Sequence, residues 1–399
     1  TSKPAARKWL RLALRLVAML AASFAVFAAW ALSVAWVPMG KAPEGERLAR
    51  MEASPNSKDG VFVNKQNMYN DVWGALTSAS SMSEYAEATG PLPVYPDTAK
   101  ELATPPNGTR ITWLGHSTVL MELAGKRVLS DPIFGPSPSP IEAFGPARWY
   151  APPLALHELR DVDIVLISHD HYDHLDYPTI AAMRDWEVKF VTPLGIGAHL
   201  EYWGVAPERI VELDWWEEYE LGDLRIAATP ARHASGRQAF DQMRTQWAGY
   251  ALIGPKHRIM FSGDTGLFDD MANIGERYGP FDLVMIEVGA YHETWPDWHI
   301  GPEQAMVAHE MMRGKLFMPI HIGLFNLALH GWTEPMERLW VAATKRGVDF
   351  TVPRPGQPFL IGDAPKPERW WPDLPWETAA QHPIVSTRNG DPNERYPVP

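Results

Sequence analysis

A short apolar segment, Ile164–Ile167, leads directly into the motif His-x-His-x-Asp-His, and this junction constrains the fold more than any other feature. The segment is typical of a buried strand. Four potential metal ligands within six residues cannot all face one ion from a regular strand, whereas a turn at the strand end lets them divide between two ions. The four ligands of this turn are His169, His171, Asp173 and His174.

The same arrangement occurs three more times along the chain. Strand-like segments run toward His233, Asp264 and His321, so that each delivers a ligand at its carboxyl end, where α/β domains form their active sites. The chain contains no cysteine, which leaves imidazoles and carboxylates as the strong ligands. Five histidines and two aspartates suit a pair of zinc ions. The predicted ligands are His169, His171, Asp173, His174, His233, Asp264 and His321.

Short apolar segments alternate with helix signals from about residue 110 onward. The predicted strands are Ile111–Leu114, Val119–Leu123, Arg127–Leu129, Ile164–Ile167, Lys189–Val191, Leu224–Ala228, Ile259–Phe261, Leu283–Val288 and Leu316–Ile320. Pro178 and Pro302 predict helices over 179–186 and 303–312, and Gly314 is expected to close the second. This alternation indicates a layered α/β domain.

The N-terminal segment differs in charge from the rest of the chain. Residues 1–15 form a basic flank, and residues 16–37 are uncharged and apolar, as in a membrane-spanning helix or an uncleaved signal. A cleaved signal peptide is the alternative, although its apolar stretch is roughly 7–15 residues. The positive-inside rule keeps the N-terminus cytoplasmic and places the catalytic domain on the outer, periplasmic side.

The remaining residues divide by composition. Residues 38–105 predict a tether and an irregular or partly helical arm over the main domain, 106–362 a catalytic domain, and 363–399 a Pro- and Trp-rich surface tail. The chain has 36 basic and 48 acidic residues, a formal net charge of −12. Because the acidic excess repels polyanions, no nucleic-acid partner is expected.

Further motifs resemble one known family. The His-x-His-x-Asp-His turn with the later ligands resembles the metallo-β-lactamase superfamily. The surrounding motifs are similar to the N-acylphosphatidylethanolamine-hydrolysing phospholipase D family, and the resemblance extends from about residue 110 to 340. These motifs are Ile111–Thr118, Ser130–Phe134, Leu166–Asp176, Glu212–Glu218, Gly263–Gly266, Tyr278–Leu283 and Gly289–Tyr291.

The resemblance implies a four-layer αβ/βα sandwich, here preceded by the transmembrane helix. It implies one zinc held by His169, His171 and His233, a second held by Asp173, His174 and His321, and Asp264 between both. The implied reaction cleaves an N-acylphosphatidylethanolamine to phosphatidic acid and an N-acylethanolamine. A phospholipid substrate and the bilayer are the implied partners, and a homodimer is left open.

Four residues outside the ligand set carry secondary expectations. Asp131 matches a family aspartate and is expected to orient the histidine-rich turn. His299 matches a functional family histidine that orients substrate or protonates the leaving oxygen. His116 either lies near the metals or is structural, and His330 is expected near the entrance. The other histidines, at 157, 199, 257, 292, 309 and 382, are interpreted as surface or structural residues.

Two other functions remain open at this point. A metal-dependent lactonase of the same superfamily would open a cyclic ester with the same centre. A non-enzymatic membrane scaffold would bind no zinc. The sequence also departs from the family at Ala234 and Ser235, where the lipid-hydrolysing enzymes tend to have Trp and Cys, so the shape of the pocket is not implied by the resemblance.

Overall fold

The computed structural model describes residues 3–238 and 240–397. Its helices are α1 (Lys3–Ala35), α2 (Gly45–Glu52), α3 (Val72–Ser78), α4 (Thr98–Leu102), α5 (Tyr177–Met183), α6 (Gly197–Tyr202), α7 (Asp270–Tyr278), α8 (Pro302–Met311) and α9 (Glu334–Arg346). Its strands are β1 (Ser57–Lys58), β2 (Val61–Phe62), β3 (Arg110–Gly115), β4 (Thr118–Leu123), β5 (Lys126–Ser130), β6 (Ile164–Leu166), β7 (Lys189–Pro193), β8 (Ile210–Leu213), β9 (Glu218–Leu221), β10 (Leu224–Thr229), β11 (Gly249–Ile253), β12 (Arg258–Phe261), β13 (Phe281–Glu287), β14 (Gly314–Ile320), β15 (Asp349–Phe350) and β16 (Pro358–Leu360).

Two mixed seven-stranded sheets form the body. The first has the order β16-β3-β4-β5-β6-β7-β8, and the second has the order β15-β14-β13-β12-β11-β10-β9. Strand β4 shows how the layers form, because side chains alternate along a strand. Val119 and Met121 belong to the core shared with the second sheet, whereas Leu120 belongs to the cluster that includes Ile180 of α5. The predicted αβ/βα sandwich is therefore observed.

Each predicted strand segment overlaps an observed strand, although Ile167 and Val288 lie one residue beyond the ends of β6 and β13. The helix ends also differ from the prediction. Helix α5 ends at Met183, three residues before the predicted end at Trp186. The prediction that Gly314 closes the second helix is wrong. Helix α8 ends at Met311, Arg313 supplies the left-handed turn with φ 61°, and Gly314 is the first residue of β14.

Helix α1 is long and apolar enough, over Arg7–Ala35, to cross a membrane. It starts within the basic flank and ends two residues before the predicted end at Val37. The chain then docks on the body. The indole of Trp203 donates to the carbonyl of Val37 at 2.8 Å, and the guanidinium of Arg237 donates to the carbonyl of Pro38.

The arm and the tail pack against the body. Arg47 of α2 forms a 2.6 Å ion pair with Glu212, and Asn56 donates to the carboxylate of buried Asp214. In the tail, Ser386 and Thr387 are fully buried. Residues 38–105 therefore include short regular elements that contact the catalytic domain.

Candidate metal centre

The predicted ligands meet where strands of both sheets end. The histidine-rich turn follows β6, and His233, Asp264 and His321 follow β10, β12 and β14. One group of nitrogens belongs to three histidines. Nδ1 of His171 lies 2.9 Å from Nε2 of His169 and 3.2 Å from Nε2 of His233. The structure thus brings together the three residues expected at one ion.

The second group lies beside the first. Oδ2 of Asp173 is 3.3 Å from Nε2 of His174 and 3.2 Å from Nε2 of His321. Oδ2 of Asp264 lies 3.1 Å from each of those two nitrogens. The same oxygen is 3.9 Å from Nε2 of His169, a member of the first group. Asp264 therefore lies between the two groups, as a bridging ligand would.

The donor atoms fit metal cations. Nε2 of His174 and Oδ1 of Asp264 are buried without a hydrogen-bond partner in the described residues, which is costly for polar groups. Nε2 of His169 and Nδ1 of His171 lie 2.9 Å apart, and a single proton can form a hydrogen bond in only one such pair of nitrogens. A cation held by these lone pairs would satisfy them, and a nitrogen- and oxygen-rich set without thiolate is one that zinc accepts.

Burial acts against charged imidazoles in both groups, but the neighbouring carboxylates raise the histidine pKa values in the second group. Burial, reinforced by neighbouring histidines, lowers the pKa of His169 well below its ordinary value. Burial also disfavours the charged form of His174, but the carboxylates around it, led by Asp264, raise its pKa well above the usual range. The same carboxylate raises the pKa of His321 to about 10 against the effect of burial. The first group thus favours neutral imidazoles, and the second concentrates negative charge.

Asp131 holds the histidine-rich turn from behind. Its carboxylate lies 2.7 Å from Nδ1 of His174 and accepts from the backbone N–H and the hydroxyl of Ser168 at 2.7 and 2.6 Å. An Nδ1–H donated to Asp131 leaves Nε2 of His174 facing Asp264. Asp131 also has a φ of 34°, which is uncommon for a residue with a side chain.

His116 lies next to the second group. Its Nε2 is 2.9 Å from Oδ2 of Asp173, and its backbone carbonyl accepts from the N–H of His321 at 3.0 Å. Burial lowers the pKa of His116 to about 3, so its neutral ring donates Nε2–H to the carboxylate. Both His116 and His321 have φ near 50–60°, in the left-handed region. His116 therefore supports a ligand rather than lying apart from the centre.

His299 faces Asp264 and is held in place by Glu287, a residue that the sequence did not predict as part of the site. Its Nδ1 lies 3.8 Å from Oδ2 of Asp264 and 2.7 Å from Oε2 of Glu287. Glu287 is fully buried at the end of β13, and its other oxygen accepts from the backbone N–H of Thr265. Burial and the charge of Asp264 raise the pKa of Glu287 well above its ordinary value. In the sequence, the available signal for Glu287 was a carboxylate inside an otherwise apolar strand segment.

The arm and the tail also reach the centre. The amide of Asn64 pairs with both backbone groups of His233, donating to its carbonyl at 2.7 Å and accepting from its N–H at 3.0 Å. The guanidinium of the preceding residue, Arg232, lies 3.0 Å from Asp297 and donates to backbone carbonyls of Asn67 and Thr387. The sequence did not predict these contacts, because no local pattern indicates which distant segments will meet.

A cavity opens beside the second group. His116, His321, Trp149, Phe325 and Trp332 are among its lining residues. His330, expected near the entrance, also lines it and stacks on Tyr291 with ring centroids 4.2 Å apart.

The two positions that depart from the family and Trp215 of the Glu212–Glu218 motif pack into the body. Ala234 and Ser235 are buried, and Ser235 donates to the carbonyl of Thr245 at 2.6 Å. The buried indole of Trp215 donates to the carbonyl of Trp247 at 2.6 Å.

The chain resembles known proteins in sequence and in fold. A profile described as the β-lactamase superfamily domain matches residues 126–322. An N-acyl-phosphatidylethanolamine-hydrolyzing phospholipase D of Caenorhabditis elegans is 34% identical over 261 residues, which are 62% of this chain and 73% of that relative. The chain belongs to the metallo-β-lactamase superfamily.

Two further proteins are similar to this chain, one in sequence and one in fold. An uncharacterised protein of Mycobacterium tuberculosis is 40% identical over 339 residues, 80% of this chain and 88% of that relative. Igni18, a metallo hydrolase from the archaeon Ignicoccus hospitalis, has a TM-score of 0.50 at 24% identity over 63% of this chain and 97% of its own. The predicted metallo-β-lactamase fold is confirmed, and the protein is a metal-dependent hydrolase of this superfamily.

Proposed function

We propose that this protein is a membrane-anchored dizinc phosphodiesterase of the phospholipase D type. Its substrate would be an N-acylphosphatidylethanolamine-like lipid, and water would cleave it to phosphatidic acid and an N-acylethanolamine. One observation carries the proposal. Asp264 lies between two groups of ligand atoms, in a chain 34% identical to a phospholipase D named for this substrate.

The ligand set divides between two ions in this proposal. His169, His171 and His233 would hold one zinc, Asp173, His174 and His321 the other, and Asp264 would contact both. Two bound zinc ions would supply an activated water and neutralise negative charge on the phosphodiester. Asp131 would fix the ring of His174 so that its Nε2 faces the centre.

The leaving oxygen needs a proton when the phosphorus–oxygen bond to the N-acylethanolamine breaks. His299 lies within reach of Asp264, and Glu287 holds its Nδ1, which leaves Nε2 for the substrate. In the proposed step, His299 gives its proton to that oxygen, and the attacking water replaces the proton lost. His299 is therefore the proposed acid, and Glu287 positions it.

The proposal includes an anchor. Helix α1 would cross the bilayer with its basic N-terminal residues on the cytoplasmic side, which leaves the catalytic domain on the outer side. Arg7, Lys8, Arg11 and Arg15 support this orientation. An anchored site stays at high local concentration next to a lipid substrate.

Product analysis tests the activity. The full chain in detergent micelles is depleted of metal and then offered N-acylphosphatidylethanolamine, phosphatidylethanolamine and an acyl lactone, with and without added zinc. We expect zinc-dependent release of N-acylethanolamine and phosphatidic acid. Turnover of the lactone alone would instead establish the lactonase function, and activity that survives complete metal removal would contradict the mechanism. The Lys345→Ala variant changes an exposed residue on α9 and serves as a control, which should behave like the wild type.

A further inference from the structure

The turn Glu142–Phe144 packs against the candidate membrane span. The ring of Phe144 lies 6.0 Å from that of Phe27 and 6.2 Å from that of Trp30, both on α1. Phe144 is nevertheless 60% exposed. A large apolar side chain of the catalytic domain is thus displayed to the surroundings of the helix rather than to the interior of the body.

The contact lies within the apolar part of α1. Ala28, Ala31 and Ala35 follow the i, i+3, i+7 spacing of one helix face, and they are the positions of this stretch that the body covers. Trp30 precedes Ala35 by five residues, which is about 8 Å along a helix axis. Tryptophan is enriched at the boundary between headgroups and acyl chains. A side chain that touches Trp30 therefore lies at that boundary.

The turn belongs to a compact loop, Pro136–Ala147, whose ends are fixed. Arg148 donates from its backbone N–H to the carbonyl of Pro136 and from its guanidinium to the carbonyls of Phe134 and Gly135, at 2.9–3.0 Å. Prolines within the loop restrict its backbone further. A stiff loop can hold an exposed aromatic ring at a fixed depth beside the helix.

The same loop leads to the proposed metal centre. Trp149, five residues after Phe144, lines the cavity together with His116 and His321. Its backbone N–H donates to the carbonyl of Leu324 at 3.0 Å, which ties the loop to the segment after β14. A short segment of chain therefore connects the exposed ring of Phe144 to the wall of the cavity.

From these contacts we propose that the turn Glu142–Phe144 inserts into the outer headgroup and acyl boundary of the bilayer, next to α1. The occupant of this surface is the lipid membrane, and the loop places the mouth of the cavity at the lipid surface. Glu142 stays among the headgroups while Phe144 enters the apolar layer. The inference rests on the proposed anchoring by α1, and the test separates the two.

The absence of cysteine makes the test direct, because a single introduced cysteine can be labelled with an environment-sensitive fluorophore. The full chain carries Phe144→Cys, Phe24→Cys within α1, or Lys345→Cys on α9. Each labelled protein is reconstituted in vesicles of phosphatidylethanolamine and phosphatidylglycerol. We expect a blue-shifted emission and quenching by spin-labelled lipid at positions 24 and 144, and neither effect at position 345.

The outcomes distinguish the inference from the anchoring. A lipid signal at position 24 with an aqueous signal at 144 overturns the insertion and leaves the anchor intact. Aqueous signals at both positions overturn the anchor and the insertion together. As a second readout, Phe144→Ser should raise KM for vesicle lipid, while hydrolysis of a soluble phosphodiester stays unchanged and α1 keeps the protein with the vesicles in flotation.

Discussion

Oε2 of Glu287 lies 2.7 Å from Nδ1 of His299, and this contact fixes the ring that faces Asp264. Glu287→Ala removes the partner of His299 and leaves the N–H of Thr265 without its acceptor. Loss of such a supporting group typically costs 10–100-fold, so we expect kcat to fall about 10–100-fold. Glu287→Gln, which can still bond both partners, should retain more activity. Equal losses in steady-state kinetics for both variants would contradict a positioning role.

The carboxylate of Asp131 should tune metal affinity through His174. Asp131→Asn keeps the shape but removes the charge that favours Nδ1–H on His174. We expect zinc affinity to fall about 10–100-fold, as for other groups that support a ligand. Competition with a chromophoric chelator measures the change. Asp185→Asn, an exposed position on the body, serves as the matched control and should bind zinc like the wild type.

Each ligand group should hold one ion. His233→Ala disrupts the first group, and His321→Ala disrupts the second. The expected zinc content, measured by mass spectrometry on the purified chain, therefore drops by one ion per protein in each variant. Asp264→Asn should weaken both sites, because Asp264 lies between them. A full metal content in His233→Ala would rule out the proposed division of ligands.

The arm should contribute to the centre through Asn64. Asn64→Ala leaves the N–H and the carbonyl of His233 without their side-chain partner, at a cost of about 1–3 kcal/mol for each unpaired group that water does not reach. We expect lower zinc affinity and a lower unfolding temperature. The neighbouring exposed variant Lys58→Ala is the control. Wild-type affinity in Asn64→Ala would show that the arm is dispensable for the centre.

Acid should destabilise the protein through a buried histidine outside the centre. His309 on α8 is 2% exposed, its Nδ1 has no hydrogen-bond partner in the described residues, and burial lowers its pKa to about 4. The unfolded chain binds a proton more readily, so the contribution of His309 is complete above about pH 6.5 and declines toward about pH 4. The difference reaches about 3 kcal/mol.

The variant His309→Leu isolates this effect. It lacks the titrating group, and the environment next to Phe317 accepts an apolar side chain. We expect the wild type to lose more stability than His309→Leu when chemical denaturation is compared between about pH 7 and about pH 5. Parallel losses in both proteins would assign the acid sensitivity to other groups.

The sequence predicted those parts of the centre that are marked locally. The turn at 169–174 follows its strand directly, and each later ligand follows a recognisable apolar segment. Asn64 was not predictable, because its partner His233 is 169 residues away and the contact depends on how the arm docks. Glu287 was predicted only as part of a strand, because the alternation of side chains along a strand does not show which residue at its end contacts another element. The prediction that a glycine ends α8 was wrong, because Arg313 adopts the left-handed conformation after this helix.

The contacts of Arg232 have a consequence for biosynthesis. Its guanidinium joins a carbonyl from the arm, at Asn67, to groups of Asp297 and Thr387. The residue next to a proposed zinc ligand is therefore surrounded by segments made at very different times during translation. A growing chain cannot complete this ring of hydrogen bonds until residue 387 has left the ribosome. The hydrogen bonds around Arg232 are therefore completed only after the arm, Asp297 and Thr387 have all been made.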